Sequence, residues 1–221
     1  MKIIDIPRSG SYADKTSSRN RGGQYVRNRR SPVQPIGTGR RALVRARLGA
    51  ASSAWGGLSD AQRDAWAAYA DANPYTDRLG QSIKLTGHQI FVAIRANCAN
   101  AGLAAPTAPP VSNVTPALSA VTFYVDIGDQ EALVEFTSTG SNADKILVST
   151  APPVSAGRSR PSYWWQAAVA SGDAPGEDIY AVLVLQFGAP GVGQRVFVKL
   201  TPVNQYGVVG TPTILSAIAT A

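Results

Sequence analysis

The sequence predicts a multi-part α+β chain in which an extended N-terminal arm is followed by a small helical module and a C-terminal all-β sandwich. Three observations predict this order: the basic residues are concentrated at the N-terminus, helical periodicity is confined to the next part of the chain, and short strands follow a proline-rich stretch. The predicted boundaries are 1–39 for the basic arm, 40–104 for the helical module, 105–116 for the linker and 117–221 for the sandwich.

The excess positive charge of the chain lies in its first fifth. Residues 1–47 contain twelve Lys and Arg against two acids, a net charge of +10, whereas residues 48–221 contain nine against twelve, a net charge of −3. Such asymmetry is typical of a basic segment that binds an acidic partner, either nucleic acid or an acidic protein surface. Residues 7–39 show no helical or strand period, so we expect them to be disordered until a partner orders them.

The arm contains arginines that can bind an acidic partner, and tyrosines and prolines that can make specific contacts with it. An arginine fork holds a phosphate or a carboxylate through two contacts. The candidate partner-binding residues are Arg19, Arg21, Tyr25, Arg27, Arg29 and Arg30. A solvated tail without a partner stays open as the alternative. Docking to protein is favoured over free nucleic-acid binding, because no recognised nucleic-acid fold follows the arm.

The helical module begins at Arg40 with a helix that places four apolar residues on one face. These residues are Val44, Leu48, Ala51 and Trp55. A second helix begins with a capping box, with Ser59 as the N-cap and Gln62 three residues later. Because the connection is short, we expect a helical hairpin with Trp55 and Trp66 in the shared seam.

A third helix is predicted from a second capping box, Thr86 with Gln89. Its apolar stripe consists of Ile90, Phe91, Ile94 and Cys98. Gly102 is a natural C-terminal stop for this helix.

Beyond the linker, every strong signal predicts β-structure. Gly, Pro, Asp and Asn clusters separate seven candidate strands. They are residues 120–127, 132–138, 145–150, 163–170, 179–187, 194–201 and 212–219. About seven short strands in roughly 100 residues are typical of an immunoglobulin-like sandwich.

Residues 195–207, followed by Thr211-Pro212, resemble the last two strands of fibronectin type III domains, where an alternating strand runs into an Asn-x-x-Gly turn and a closing strand. The resemblance covers at most residues 117–219 and implies a fibronectin III-like sandwich. The second strand lacks the tryptophan usual in that family, so Leu133 and Phe136 would have to fill its space.

The first hundred residues resemble a different family. The matching runs are residues 18–27, 32–35, 53–66 and 86–91, and they include the Leu-Ser-x-x-Gln-Arg-x-x-Trp motif of residues 58–66. They are similar to a family of proteins from tailed-phage and prophage gene sets that are generally taken to be virion components. The resemblance implies a place on the capsid or at the neck, and it implies no chemistry.

We therefore expect a virion structural protein, foremost a capsid decoration or cement protein anchored by its arm and assembled in the host cytoplasm. Its expected partners are the major capsid protein or other virion proteins, with the chain present as a homo-oligomer or in multiple copies. Two alternatives stay open: a neck or tail structural protein, and a nucleic-acid-binding protein that uses the basic arm. No apolar run approaches the length of a membrane span or a signal-peptide core, so no membrane partner and no export signal are expected.

The chain offers few groups for catalysis, so no enzyme activity, cofactor or metal is predicted. His88 is the only histidine and Cys98 the only cysteine, and together they cannot furnish the usual zinc ligand set. We expect His88 to lie in the first turn of the third helix and Cys98 to be a small core residue. The acidic residues around positions 126–135 and 177–178 flank predicted turns and are interpreted as solvated.

Tyr163, Trp164 and Trp165 form the most exposed-looking aromatic cluster. On a strand, Trp164 would point opposite to its two neighbours. One face would then belong to the core, and the other is a candidate contact surface for a partner, a carbohydrate or another subunit.

Overall fold

The computed structural model describes residues 10–12, 15–20, 23–28, 40–76 and 80–221. Over these residues the fold is α+β, with four α-helices and several antiparallel sheets. The chain divides into two compact units between Ala46 and Arg47.

The first unit contains a three-stranded antiparallel sheet in the order β1 (Gly10–Tyr12), β2 (Lys15–Asn20) and β3 (Gly23–Asn28). Asn20 pairs with Gly23 where β2 and β3 meet. The prediction of an arm without strand structure is therefore corrected over these residues. These strands could not be recognised from the sequence, because a ladder of main-chain hydrogen bonds requires no alternation of apolar side chains, and that alternation is the signal by which strands are predicted.

The helices are α1 (Arg40–Ala54), continued by a 3-10 turn (Trp55–Gly57), then α2 (Asp60–Ala72) and α3 (Gly87–Ala101). A small hairpin of β4 (Tyr75–Thr76) and β5 (Ser82–Ile83) lies between α2 and α3. Both predicted capping boxes are present: the hydroxyls of Ser59 and Thr86 accept from the backbone N–H groups of Gln62 and Gln89. Gly102 ends α3 with a left-handed φ of 68°, as predicted.

The core of the helices is centred on Phe91 of α3. Trp66 and Phe91 are fully buried, with ring centroids 5.3 Å apart in an edge-to-face arrangement. Trp55 also lies 5.3 Å from Phe91. The predicted seam between the first two helices is thus corrected: each tryptophan packs against α3, because the ring of Phe91 supplies an apolar surface to both.

Besides the β4–β5 hairpin, the second unit contains two larger antiparallel β-sheets. The first has the order β11 (Gly176–Asp178), β7 (Glu131–Ser138) and β6 (Leu118–Asp126). The second has the order β10 (Trp165–Ser171), β8 (Lys145–Thr150), β12 (Gln194–Val203) and β13 (Thr213–Ile218), and β9 (Val154–Ser155) pairs with the start of β12.

The two sheets pack on a common core, which makes this part an antiparallel sandwich. Every second residue along much of the central strands is buried, as expected for strands with one face in the core, and Phe197 of β12 is buried in addition. The alternating buried residues are Ala132, Val134 and Phe136 of β7, Ile146 and Val148 of β8, and Val196, Val198 and Leu200 of β12.

The strand predicted over residues 179–187 is wrong, because this segment forms helix α4 (Tyr180–Phe187). Ile179, Tyr180 and Leu183 are buried whereas Leu185 is 88% exposed, which is helical spacing. A short continuous apolar run cannot be assigned to a strand or a helix by periodicity alone.

Residues 105–116 have no regular secondary structure, but hydrogen bonds hold them to both the helices and the sandwich. The Trp66 indole Nε1 donates to the carbonyl of Thr107 at 3.0 Å. The Asn204 amide donates to the carbonyls of Ser112 and Val114 at 2.9 and 3.0 Å. The segment therefore lies within the second compact unit, whereas the division between units lies at Ala46.

Candidate interaction surfaces

The sheet of the first unit brings part of the predicted arm site together. Arg19 lies in β2, and Tyr25 and Arg27 lie in β3. Their Cα partners across the ladder are, in the same order, Gln24, Ser18 and Thr16. Three other predicted residues lie outside the described residues: Arg21, Arg29 and Arg30. A hairpin fixes the spacing of cationic positions that a disordered segment would leave variable.

Helix α1 exposes part of its apolar stripe. Val44 and Leu48 are 43% and 44% exposed, whereas Ala51 on the same face is buried. Trp55, one turn further on, packs edge-on against Phe91. Among the described residues, the stripe is therefore covered only towards its C-terminal end.

The same helix is strongly cationic, since residues 40–54 contain four arginines and no acid. Arg45 is exposed. Arg47 is half-buried and donates from Nη1 to the Asn100 side chain at 2.5 Å, so it contributes to packing on α3. Helix α1 thus carries two exposed apolar residues, Val44 and Leu48, and an exposed arginine, Arg45.

An acidic groove lies at the pairing of β7 with β11. Its volume is about 340 Å³. The lining residues are Leu133, Glu135, Pro175, Gly176, Glu177 and Asp178. The carboxylate of Asp178 accepts from the backbone N–H groups of Ala132 and Tyr180, both at 3.0 Å, so it stabilises the local chain path. Glu135 is exposed and accepts from the Thr122 hydroxyl at 3.1 Å. The lining therefore combines apolar side chains with carboxylates that remain accessible.

Tyr124 lies beside this groove, and its pKa is raised by its acidic neighbours. Its hydroxyl donates to the Glu131 carboxylate at 2.8 Å. This hydrogen bond raises the pKa of Tyr124 to about 12, together with partial desolvation and the negative charges of Glu131, Glu135 and Asp178. The β6–β7–β11 sheet therefore presents an anionic side to the solvent.

The aromatic cluster differs from its prediction. Trp165 begins β10, but Tyr163 and Trp164 precede the strand, so the predicted alternation of one strand does not apply. Tyr163 is 53% exposed and lies edge-on to Phe187, with ring centroids 6.0 Å apart. The Lys199 ammonium lies 5.1 Å from the ring centroid of the half-buried Trp164, and burial lowers the pKa of this lysine. Tyr163 thus offers the largest exposed aromatic surface of the three.

His88 and Cys98 lie where the sequence predicts. His88 is in the first turn of α3, with its Nε2 3.3 Å from the Ser52 hydroxyl and its ring edge-on to Trp55. Cys98 is fully buried, and burial raises the pKa of its thiol. Within the described ranges, no group of three or more His, Cys, Asp or Glu side chains is placed to hold a metal ion. In the same ranges, no helix has the length and apolar character needed to cross a membrane.

Two of these surfaces could not be located from the sequence. The apolar stripe of α1 was predicted, but not that its N-terminal part is exposed. Glu135 and Asp178 are far apart in sequence and come close only because β11 pairs with β7, which sets Gly176 opposite Glu135 and Asp178 opposite Leu133.

Comparisons with known proteins leave the family open. No family model and no curated protein matches the chain. A family 76 glycoside hydrolase from a bovine Bacteroides thetaiotaomicron strain is similar at 14% identity over 48% of this chain and 20% of its own, with a TM-score of 0.33. An Fn3-like protein from Clostridium thermocellum is similar at 14% identity over 48% of this chain and 94% of its own, with a TM-score of 0.30. The resemblance to phage virion proteins has no support among these comparisons and stays a prediction.

Proposed function

We propose that this chain is a structural protein of a tailed-phage virion, specifically a capsid decoration or cement protein that its N-terminal segment fastens to the major capsid protein or to other virion proteins. The resemblance of residues 18–27 and 58–66 to phage proteins supports the proposal. In this proposal the C-terminal sandwich is of the fibronectin III type and faces away from the shell.

The observation that carries the proposal is the separation of charge along the chain. The net charge of +10 on residues 1–47 precedes a larger part with a net charge of −3. A cationic segment that contacts several neighbouring subunits adds their affinities together, so attachment can be tight without a large rigid interface. This separation of charge favours a protein that binds its partner through one end and displays the other.

The copy number of the protein in purified particles tests the proposal. A decoration protein should be present in a fixed ratio to the major capsid protein, measured by quantitative mass spectrometry of particles from the phage or prophage that encodes it. A neck or tail protein would instead be present in a few copies per particle. Particles that contain no copy of the chain would overturn the proposal.

A matched pair of variants tests the role of the arm. Replacing Arg19 and Arg27 by alanine should release the protein from the shell, because the cationic contacts to the shell are lost. Replacing Arg158 and Arg160, which are exposed in the segment between β9 and β10, should leave the bound amount unchanged. Equal binding of both variants would show that the arm does not anchor the protein.

Nucleic-acid binding is the second candidate, because β2 and β3 form a two-stranded ribbon with arginines, and such a ribbon fits the DNA major groove. Duplex affinity should then fall with rising salt, with a log–log slope of about −0.9 per phosphate contacted. A full-length chain without measurable duplex binding at low salt rejects this candidate. Binding to shell or duplex that persists after deletion of residues 1–39 contradicts both arm-based functions.

A further inference from the structure

The β-sandwich separates its charges between its two sheets. Residues 117–144 and 173–178, which contain β6, β7 and β11, have eight acids and no base. Residues 145–172 and 179–221, which contain β8 to β10, β12 and β13, have five bases and no acid. Because the two sheets pack face to face on one core, their outer faces point in opposite directions. The sandwich therefore has an acidic side and a basic side.

The acidic face is formed by the outward side chains of β6 and β7. Glu131 and Glu135 are exposed and alternate with the buried residues of β7. The hydroxyls of Tyr124 and Thr122 donate to the two carboxylates at 2.8 and 3.1 Å and hold them on this face. The glutamates are four residues apart on the strand, so their Cα atoms are roughly 13 Å apart, with the half-buried Leu133 between them.

The basic face is formed by the outward side chains of β12 and β13. Arg195 and Lys199 are half-buried and pair across the ladder with Ile218 and Ile214. The two isoleucines are 39% and 55% exposed. The Trp164 ring lies 5.1 Å from the Lys199 ammonium and restricts its position. Since the two cations are also four residues apart, the distance between their Cα atoms, roughly 13 Å, matches that of the glutamates.

Helix α3 covers another part of the outer side of the same sheet. The Gln166 amide of β10 donates to the carbonyl of Asn100, near the end of α3, at 3.0 Å. The basic face lies on the other two strands, where Ile214 and Ile218 are exposed. Exposed apolar side chains beside cations fit a partner that offers apolar surface beside carboxylates.

The acidic face of a second copy has that composition. Leu133 and the 41% exposed Tyr124 supply apolar surface, and Glu131 and Glu135 supply the carboxylates. Two basic faces or two acidic faces would bring like charges together, so pairing of identical faces is disfavoured. The unlike faces are complementary in charge, in the spacing of their charges and in apolar content.

We propose that the basic face of one copy binds the acidic face of a second copy. The two cations of β12 then lie beside the two glutamates of β7, and the isoleucines of β13 lie against Leu133 and Tyr124. The faces are different, so the contact is heterologous and each copy keeps one face of each kind for the next. Repetition of this contact produces rings or chains of copies. Such self-association is independent of the particle to which the protein belongs.

Sedimentation velocity of the full-length protein over a concentration series tests the contact. Association should increase with concentration and weaken as salt rises, because exposed charges are screened. Ile214→Ser should weaken self-association about tenfold, as expected when an apolar contact of an interface is lost. Leu185→Ser, at a leucine that is 88% exposed on α4, should leave it unchanged.

Charge removal tests the acidic face. Glu131→Gln combined with Glu135→Gln should weaken association about tenfold, because both carboxylates lose their charge. Asp64→Asn combined with Asp71→Asn is the matched control, since it removes two negative charges from exposed positions on α2. Circular dichroism of every variant separates a lost contact from a lost fold.

A mixture of two variants tests whether the contact joins unlike faces. Ile214→Ser keeps an intact acidic face, and the double glutamine variant of β7 keeps an intact basic face. Each variant alone should associate weakly, whereas an equimolar mixture should form a 1:1 dimer that grows no further, because the remaining face of each copy is impaired.

Three results would overturn the inference: a wild-type chain that is monomeric at every concentration, equal association of Ile214→Ser and Leu185→Ser, or a mixture that associates no better than its components. A monomeric chain that binds polyglutamate, and loses this binding on Lys199→Gln, would assign the basic face to another acidic partner and refute self-association. The proposed virion function would stand in each case, since copy number in particles tests it separately.

Discussion

Gly207→Ala should destabilise the protein at the contact between the helices and the sandwich. Gly207 follows β12 with a φ of +84°, and a Cβ there would lie 2.5 Å from the Sγ of Cys98 and 2.9 Å from the carbonyl oxygen of Ile94. The left-handed backbone conformation alone costs an alanine about 1–2 kcal/mol. Overpacking of a close contact adds about 1–3 kcal/mol. The free energy of unfolding should therefore fall by about 2–5 kcal/mol.

Gly193→Ala is the matched control, because Gly193 has a φ of +82° but no atom within 4 Å of an added Cβ. It should cost only the backbone strain of about 1–2 kcal/mol. Urea unfolding of both variants, followed by circular dichroism and tryptophan fluorescence, isolates the steric contribution as the difference between them.

The Cys98→Ala background sharpens the test. Removing the sulfur relieves one of the two close approaches, so Gly207→Ala should cost less there than in the wild-type chain, and the non-additivity measures the contact. If Gly207→Ala is no more destabilising than Gly193→Ala, the turn after β12 does not rest on α3 and the described packing is refuted.

Ser59→Ala and Thr86→Ala should each lower the free energy of unfolding by about 1 kcal/mol, measured by urea denaturation, because each removes one half of a capping box; no change would contradict the caps. Glu131→Gln should lower the pKa of Tyr124 from about 12 towards its ordinary value, followed by ultraviolet absorbance titration. Since the raised pKa favours the neutral phenol, its stabilising effect is present below the ordinary tyrosine pKa and is lost as the pH rises towards 12; an unchanged titration of the variant would argue against the hydrogen bond. The buried thiol of Cys98 should react with a thiol reagent only as fast as the protein unfolds, whereas immediate reaction of the native chain would contradict its burial.

Helices α2 and α3 were predictable because their start signals are local. A capping box needs only two residues three positions apart, and both Ser59 with Gln62 and Thr86 with Gln89 form the hydrogen bonds that the pattern predicts. The element against which each helix packs could not be predicted, because it depends on contacts between residues distant in sequence. The role of Phe91 as the shared contact of two tryptophans has no local signature.

Most strands of the sandwich were predictable, but one short apolar run was assigned to the wrong kind of element. Residues 145–150 carry three consecutive apolar residues and form β8, whereas the largely apolar residues 179–187 form a helix after β11. Periodicity alone does not separate these two cases. The hairpin of β2 and β3 lacks an apolar period altogether, so nothing in residues 15–28 distinguishes it from an irregular segment.

The candidate surfaces could be predicted from the sequence only in part. The cationic character of α1 comes from four arginines within one helix, so the sequence indicates it directly. Whether Val44 and Leu48 are covered, and whether Glu135 and Asp178 share a groove, depends on strand pairing and on packing between distant segments. Neither property can be obtained from periodicity.

The hydrogen bonds of residues 105–116 determine how the second unit carries mechanical load. The Trp66 indole secures one end of this segment to α2, and the Asn204 amide secures the other beside the turn that seats Gly207 against α3. A pull that separates the sandwich from the helices is therefore borne by the short main chain between Thr107 and Ser112 and by direct contacts such as the hydrogen bond from the Asn97 amide to the Gly207 carbonyl at 3.1 Å.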